Sequence, residues 1–195
     1  MKLKMNTKKD RVMLPEGSHV AVLVGLIELG THETFYGPKE QIALMFEFPN
    51  KKHTFKEDDG PVSLSRSVIV TSSLNQKSTL CKYVVAIKGK QLTKSEMESG
   101  IDLSELLGRA TLATIVHRPG KDEQVYDNIT GLSIMPEGLP CGEVTSDPFV
   151  FEISAELKNW DKVPQWMQKK ISESPEFMSA KGKGHVFEET TDAPF

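Results

Sequence analysis

The sequence predicts a mainly β fold: a five-stranded barrel with one helix between its third and fourth strands, a C-terminal helix, and a disordered acidic tail. Three observations predict it. Apolar residues recur at period two in successive short segments, the spacing of half-buried strands. Between the third and fourth of these, Leu80, Tyr83, Val84 and Ile87 switch to i, i+3, i+4 and i+7, one face of a helix. Gly25 and Gly131 interrupt the first and fifth strand segments, where a closed sheet needs its bends.

Taken in order, residues 1–17 are basic and polar, with Pro15 and Gly17 as punctuation, and read as a flexible arm. The first strand, His19 to Glu28, is rich in β-branched residues and too apolar for a sheet edge. A turn-rich stretch follows from Gly30 to Lys39. The second strand, Gln41 to Phe48, puts Ile42, Leu44, Phe46 and Phe48 on one face, and a charged loop runs from His53 to Gly60. In the third strand, Val62 to Val70, serines alternate with larger residues, as on a strand with one wet face. Ser78 caps the helix and Gly89 ends it; Thr93-Lys94-Ser95-Glu96 reads as a capping box for a second short helix, and Leu103 to Leu107 as another short turn. The fourth strand covers Arg109 to His117 and the fifth Gln124 to Ile134.

Beyond an irregular Pro/Gly-rich crossing, Phe149 to Ile153 reads as a sixth short strand. Asp161-Lys162-Val163-Pro164 opens a helix that Trp166, Met167 and Ile171 pack onto the body. From Ser179 the apolar content falls, and Ala180 to Gly184 reads as a linker. The organisation is therefore an arm over 1–17, a barrel domain over 18–138, an extension over 139–178 that packs on the barrel, and a linker with acidic tail over 179–195.

Strand, strand, strand, helix, strand, strand is the order of the oligonucleotide/oligosaccharide-binding barrel, the OB-fold; a β-sandwich with a helical insertion is the rival. An OB barrel binds its ligand across strands 2 and 3, between the loops joining strands 1–2 and 4–5. Aromatic and basic residues interleave there. The 1–2 loop offers Phe35, Tyr36 and Lys39. The second strand and its exit offer Phe46, Lys51, Lys52 and Phe55, and the third strand offers Arg66. The fourth strand, the 4–5 loop and the start of the fifth strand offer Arg109, His117, Arg118, Lys121 and Tyr126. Cations that track phosphates and rings that stack bases are what a single nucleic-acid strand requires. Bland readings stand beside these: Phe46 and Phe48 suit a core, Lys51 and Lys52 suit a solvated turn, and Glu57-Asp58-Asp59 beside Lys56 would repel phosphate.

The 195-residue chain carries a net charge of −3, unevenly placed. Residues 1–140 are near neutral at +1, and residues 141–195 carry −4. No apolar run is long enough to span a bilayer, and the basic start with no apolar stretch directly after it gives no expectation of a secretory signal. Cys81 and Cys141 have no metal-ligand spacing and read as reduced thiols; the five histidines are scattered. With no nucleophile elbow and no phosphate-binding glycine loop, no catalytic residue, cofactor or metal site is expected.

The last residues are the most specific short feature. Glu188, Glu189 and Asp192 supply acidity, and Asp192-Ala193-Pro194-Phe195 ends in a ring that can fill an apolar pocket on a partner protein. This tip resembles that of bacterial single-stranded DNA-binding proteins. The body resembles a family of phage-encoded OB-fold single-stranded DNA-binding proteins. That resemblance rests on 74–80 (LNQKSTL), 89–93 (GKQLT), 102–108 (DLSELLG) and 126–129 (YDNI). It implies a non-enzymatic protein that coats single-stranded DNA in viral replication, recombination or repair. It further implies recruitment of replication and recombination proteins through the tail, and residence in the cytoplasm of a bacterial host. A protein-interaction adaptor and an RNA-binding module are the alternatives. Nothing in the sequence decides between a monomer and a homo-oligomer.

Overall fold

The computed structural model describes residues 12–55, 60–120 and 124–183. Lys56, Lys121, the basic arm up to residue 11 and the acidic tip, Glu188 to Phe195, lie outside the described residues. Six strands form one sheet: β1 (Gly17–Thr34), β2 (Gly37–His53), β3 (Val62–Thr71), β4 (Ala110–Pro119), β5 (Val125–Ser133) and β6 (Phe149–Phe151). Their order is β3-β2-β1-β4-β5, antiparallel throughout, with β6 added parallel to β1. Helix α1 (Thr79–Lys88) lies between β3 and β4, as the spacing predicted, with the Ser78 hydroxyl accepting from the Cys81 N–H. A short α2 (Lys94–Ser99) follows and carries the full Thr93/Glu96 capping box.

No ladder joins β3 to β5 among the described residues, so the closed barrel of the sequence reading is not what the backbone forms. The two free edges are linked by side chains instead. The Arg66 guanidinium on β3 meets the Asp127 carboxylate on β5 at 2.6 Å, with side-chain exposures of 13% and 0%. The same Asp127 oxygen accepts the Leu14 N–H at 2.7 Å, and Arg66 also donates to the Val12 carbonyl at 2.6 Å. Leu14 is fully buried in the main core. The chain from Val12 to Gly17 is therefore part of the packed body rather than of a flexible arm, because an apolar side chain there finds the seam between β3 and β5.

β1 is apolar from Val20 to Leu29, Gly25 and Glu28 apart, because both its faces are covered there. On one side Ala21, Leu23 and Leu26 join Leu44, Phe46, Phe48 and the buried face of α1 in the main core. On the other, Ile27 and Leu29 join Ala43, Phe149, Phe151, Met167 and Ile171 in a second core. The register of β1 against β2 shifts between Leu23 and Gly25, the bend the glycine predicted. A Cβ at Gly25 would stand 3.1 Å from both the Met45 Cβ and the Phe149 ring. Absence of a side chain there lets β6 lie beside β1 where β4 has turned away.

The second core belongs to the C-terminal extension. α3 (Gln165–Ser172) and α4 (Pro175–Lys183) cover the outer face of β1 and β2. Trp160 stacks on Phe177 at 5.4 Å between ring centres. Two expectations change here. Residues 179–183 continue α4 instead of starting a linker, since Phe177 anchors that helix in the core. Met167 and Ile171 do pack α3 onto the body, but Trp166 is 53% exposed, one position off the buried stripe.

Glu47 ties the crossing segment to the sheet. It is 1% exposed and accepts from the Thr145 hydroxyl at 2.7 Å, from the Thr145 N–H and from the Ser146 N–H at 3.0 Å. Burial alone would push its carboxyl up, but these donors outweigh it and hold the group below the ordinary carboxylate range. A depressed folded value means stabilisation that is complete above the ordinary carboxylate range and lost as pH falls through the lowered value. Replacing Glu47 by Gln should cost about 1–3 kcal/mol near neutral pH, because an amide hydrogen would face the Thr145 and Ser146 donors. Thermal melts of the two proteins should converge as pH drops below about 4; a gap independent of pH would show that the charge is not what holds the segment.

Candidate nucleic-acid interface

Residues 30–39, expected as a loop, are the end of a long hairpin. β1 and β2 stay paired to Thr34 and Gly37, leaving Phe35 and Tyr36 at the turn. Gly37 adopts φ +85°, the left-handed conformation that closes such a tight hairpin and that glycine takes without strain. The Thr34 hydroxyl donates to the Gly37 carbonyl and accepts from the Tyr36 N–H, pinning the tip. Phe35 is 94% and Tyr36 83% exposed, and their rings meet edge to face at 5.2 Å. Lys39 is exposed on the same hairpin. Neither ring has a core to fill.

The other expected residues divide into three groups. Lys52 and Phe55 are exposed and Lys51 half-buried at the far end of β2, where the Phe55 ring meets His53 at 4.9 Å. Lys39 and Lys51 lie near opposite ends of β2, so these cations bracket a track and do not form one compact site. Arg118 is exposed and pairs in register with the half-buried Tyr126, on the β4–β5 hairpin. Arg109 is exposed just before β4, its Nε donating to the Glu105 carbonyl.

Three residues are committed elsewhere. Phe46 is fully buried in the main core, so no base can reach its ring. Arg66 directs its guanidinium to Asp127 and to the carbonyls of Ser65 and Val12, bracing the seam rather than facing a phosphate. His117 bonds the Leu14 carbonyl through its Nε2 at 2.7 Å, while its backbone N–H donates to Glu16, so it holds the N-terminal segment.

Two grooves among the described residues differ in charge. One of about 960 Å³ lies beside β1 and β6 and is lined by Glu28, Glu40, Asp102, Glu152 and Glu156 against Lys158. Burial, then the neighbouring carboxylates, push the Glu28 carboxyl up, although the Ile153 N–H donates to it. Such a groove repels phosphate. The other, about 710 Å³, spans the seam between β3 and β5. It is lined by Met45 from β2, Ser65, Arg66, Ser67 and Ile69 from β3, Tyr126 and Asn128 from β5, and Trp166 from α3. Asp127 is its one carboxylate among the described residues, and that group is ion-paired with Arg66.

Trp166 is the groove residue that the sequence reading assigned to packing. Met167 and Ile171, four apart, define the packed stripe of α3; Trp166 precedes Met167 by one residue, about 100° around the helix, and so leaves that stripe. Comparison with known proteins finds no family model that matches the chain and no curated relative that matches it.

Proposed function

We propose that the protein binds single-stranded DNA without sequence preference, coating exposed strands and keeping them from pairing. The observation that carries this reading is the hairpin tip, where Phe35 and Tyr36 stand almost wholly in solvent beside Lys39. Exposed aromatic faces beside cations suit stacked bases and their phosphates, whatever the sequence. The strand order, with a helix between β3 and β4 and the Arg66–Asp127 link across the free edges, supports an OB-type barrel closed by side chains. On this reading the protein serves replication, recombination or repair of viral DNA in the cytoplasm of a bacterial host. Recruitment of partner proteins by the acidic segment from Glu188 to Phe195 belongs to the same proposal, as does assembly of several copies along one strand.

Titration with fluorescent oligo-dT, duplex DNA and oligo-U at two salt concentrations tests it. The expected result is tight binding of oligo-dT, weak binding of duplex, and affinity that falls as salt rises, because phosphate contacts release counterions. Preference for oligo-U would assign the surface to RNA. Binding of none of the three would leave a protein-interaction role and remove the proposal.

A further inference from the structure

We infer that α3 belongs to the strand-binding surface, with Trp166 as a base-stacking wall of the groove between β3 and β5. This rests on the reading above and adds to it a path and a residue from the C-terminal extension. Trp166 exposes half of the largest side chain in the alphabet, although Met167 beside it is fully buried. Its position is nevertheless fixed, because Met167 and Ile171 lock α3 into the second core. A ring carried on an already anchored helix leaves only its own side-chain torsions to be ordered on binding.

The rest of the groove is matched to the same ligand. Ser65 and Ser67 line it with hydroxyls and Asn128 with an amide that gives one hydrogen to the Tyr126 carbonyl and keeps the other, groups that suit phosphate oxygens and base edges alike. Tyr126 offers a second ring on the opposite strand, and its register partner Arg118 is exposed. On α3, Lys169 lies three residues after Trp166, on the same side of the helix, and is exposed. The acidic groove beside β6 holds five carboxylates, so an anionic strand is steered to the seam instead. A lining whose one carboxylate is paired with Arg66, two aromatic side chains and flanking cations together fit a single nucleic-acid strand.

The chain has two tryptophans, and Trp160 is stacked in the second core, so Trp166 is the one placed to report a bound base. Oligo-dT should quench the intrinsic emission of the wild-type full-length chain, and Trp166→Phe should abolish most of that quenching. Trp166→Ala should weaken oligo-dT binding by about 5- to 150-fold, measured by anisotropy of a labelled strand, with Trp166→Phe recovering most of the loss. Melting temperature should change little in either variant, since Trp166 is about half in solvent and lies off the buried stripe of α3. If oligo-dT binds by anisotropy while emission stays unchanged and Trp166→Ala binds like wild type, α3 is not on the path and strand binding itself stands. If oligo-dT does not bind at all, both readings fall.

Discussion

Replacing Asp127 by Ala should lower the unfolding free energy by about 3–5 kcal/mol, the range for removing one partner of a buried ion pair. Asp127 is fully buried and its Oδ2 is shared by the Arg66 guanidinium and the Leu14 N–H. Alanine would leave a guanidinium that is only 13% exposed without its counter-ion, and a buried backbone donor without its acceptor. Both penalties are desolvation costs that folding must then carry. No strand ladder backs up this link among the described residues, so the seam between β3 and β5 and the Val12–Gly17 segment should loosen together. Urea unfolding checks the size of the loss, and hydrogen exchange at Leu14 checks its place. Asp127→Asn should lose less than Ala, because the amide oxygen still accepts one bond. A loss below about 1 kcal/mol for Asp127→Ala would mean that the seam is held by apolar packing, with the ion pair breaking even.

That link also marks where sequence reading stops. Local signals transferred well: the Ser78 cap, the Thr93/Glu96 capping box and the glycine bend at residue 25 each depend on neighbours within a few positions. Arg66 and Asp127 are 61 residues apart, and Glu47 reaches Thr145 across 98. In sequence, an arginine among serines reads as a cation facing a ligand, and nothing near Glu47 points to its distant partner. Only the fold brings each to its partner. The hairpin was hidden for a different reason. Gly30, Gly37 and Pro38 read as loop punctuation, yet Gly30 marks a shift of register within the paired strands and Gly37 closes the turn. Trp166 was misassigned because tryptophan is apolar and sits in a helix with a buried stripe; one residue of rotation separates that stripe from solvent. Phe46, read both ways, went to the core because strand alternation put it with Leu44 and Phe48.

The hairpin tip should show the largest effect on binding. Phe35→Ala and Tyr36→Ala should each weaken oligo-dT binding by about 1–3 kcal/mol, and the double variant by a few kcal/mol in total. The two rings touch edge to face, so the losses should not add: removing one frees its neighbour to tilt. Stability should hardly change, since both side chains lie almost wholly in solvent and the turn is fixed by Gly37 and the Thr34 hydroxyl, which neither substitution touches. That separation gives the test its force. Lys39→Ala, on the same hairpin, should instead reduce the slope of log affinity against log salt by about 0.7, one phosphate contact on a single strand, and cost less at high salt. Aromatic variants should leave that slope unchanged, because stacking releases no counterions. Should the double aromatic variant bind oligo-dT as tightly as wild type, the tip would be free for another partner and the strand path would have to lie wholly along the seam between β3 and β5. Should it lose affinity without change in salt slope or melting temperature, the tip holds bases and the cations hold phosphates, two halves of one strand-binding surface separated along the same pair of strands.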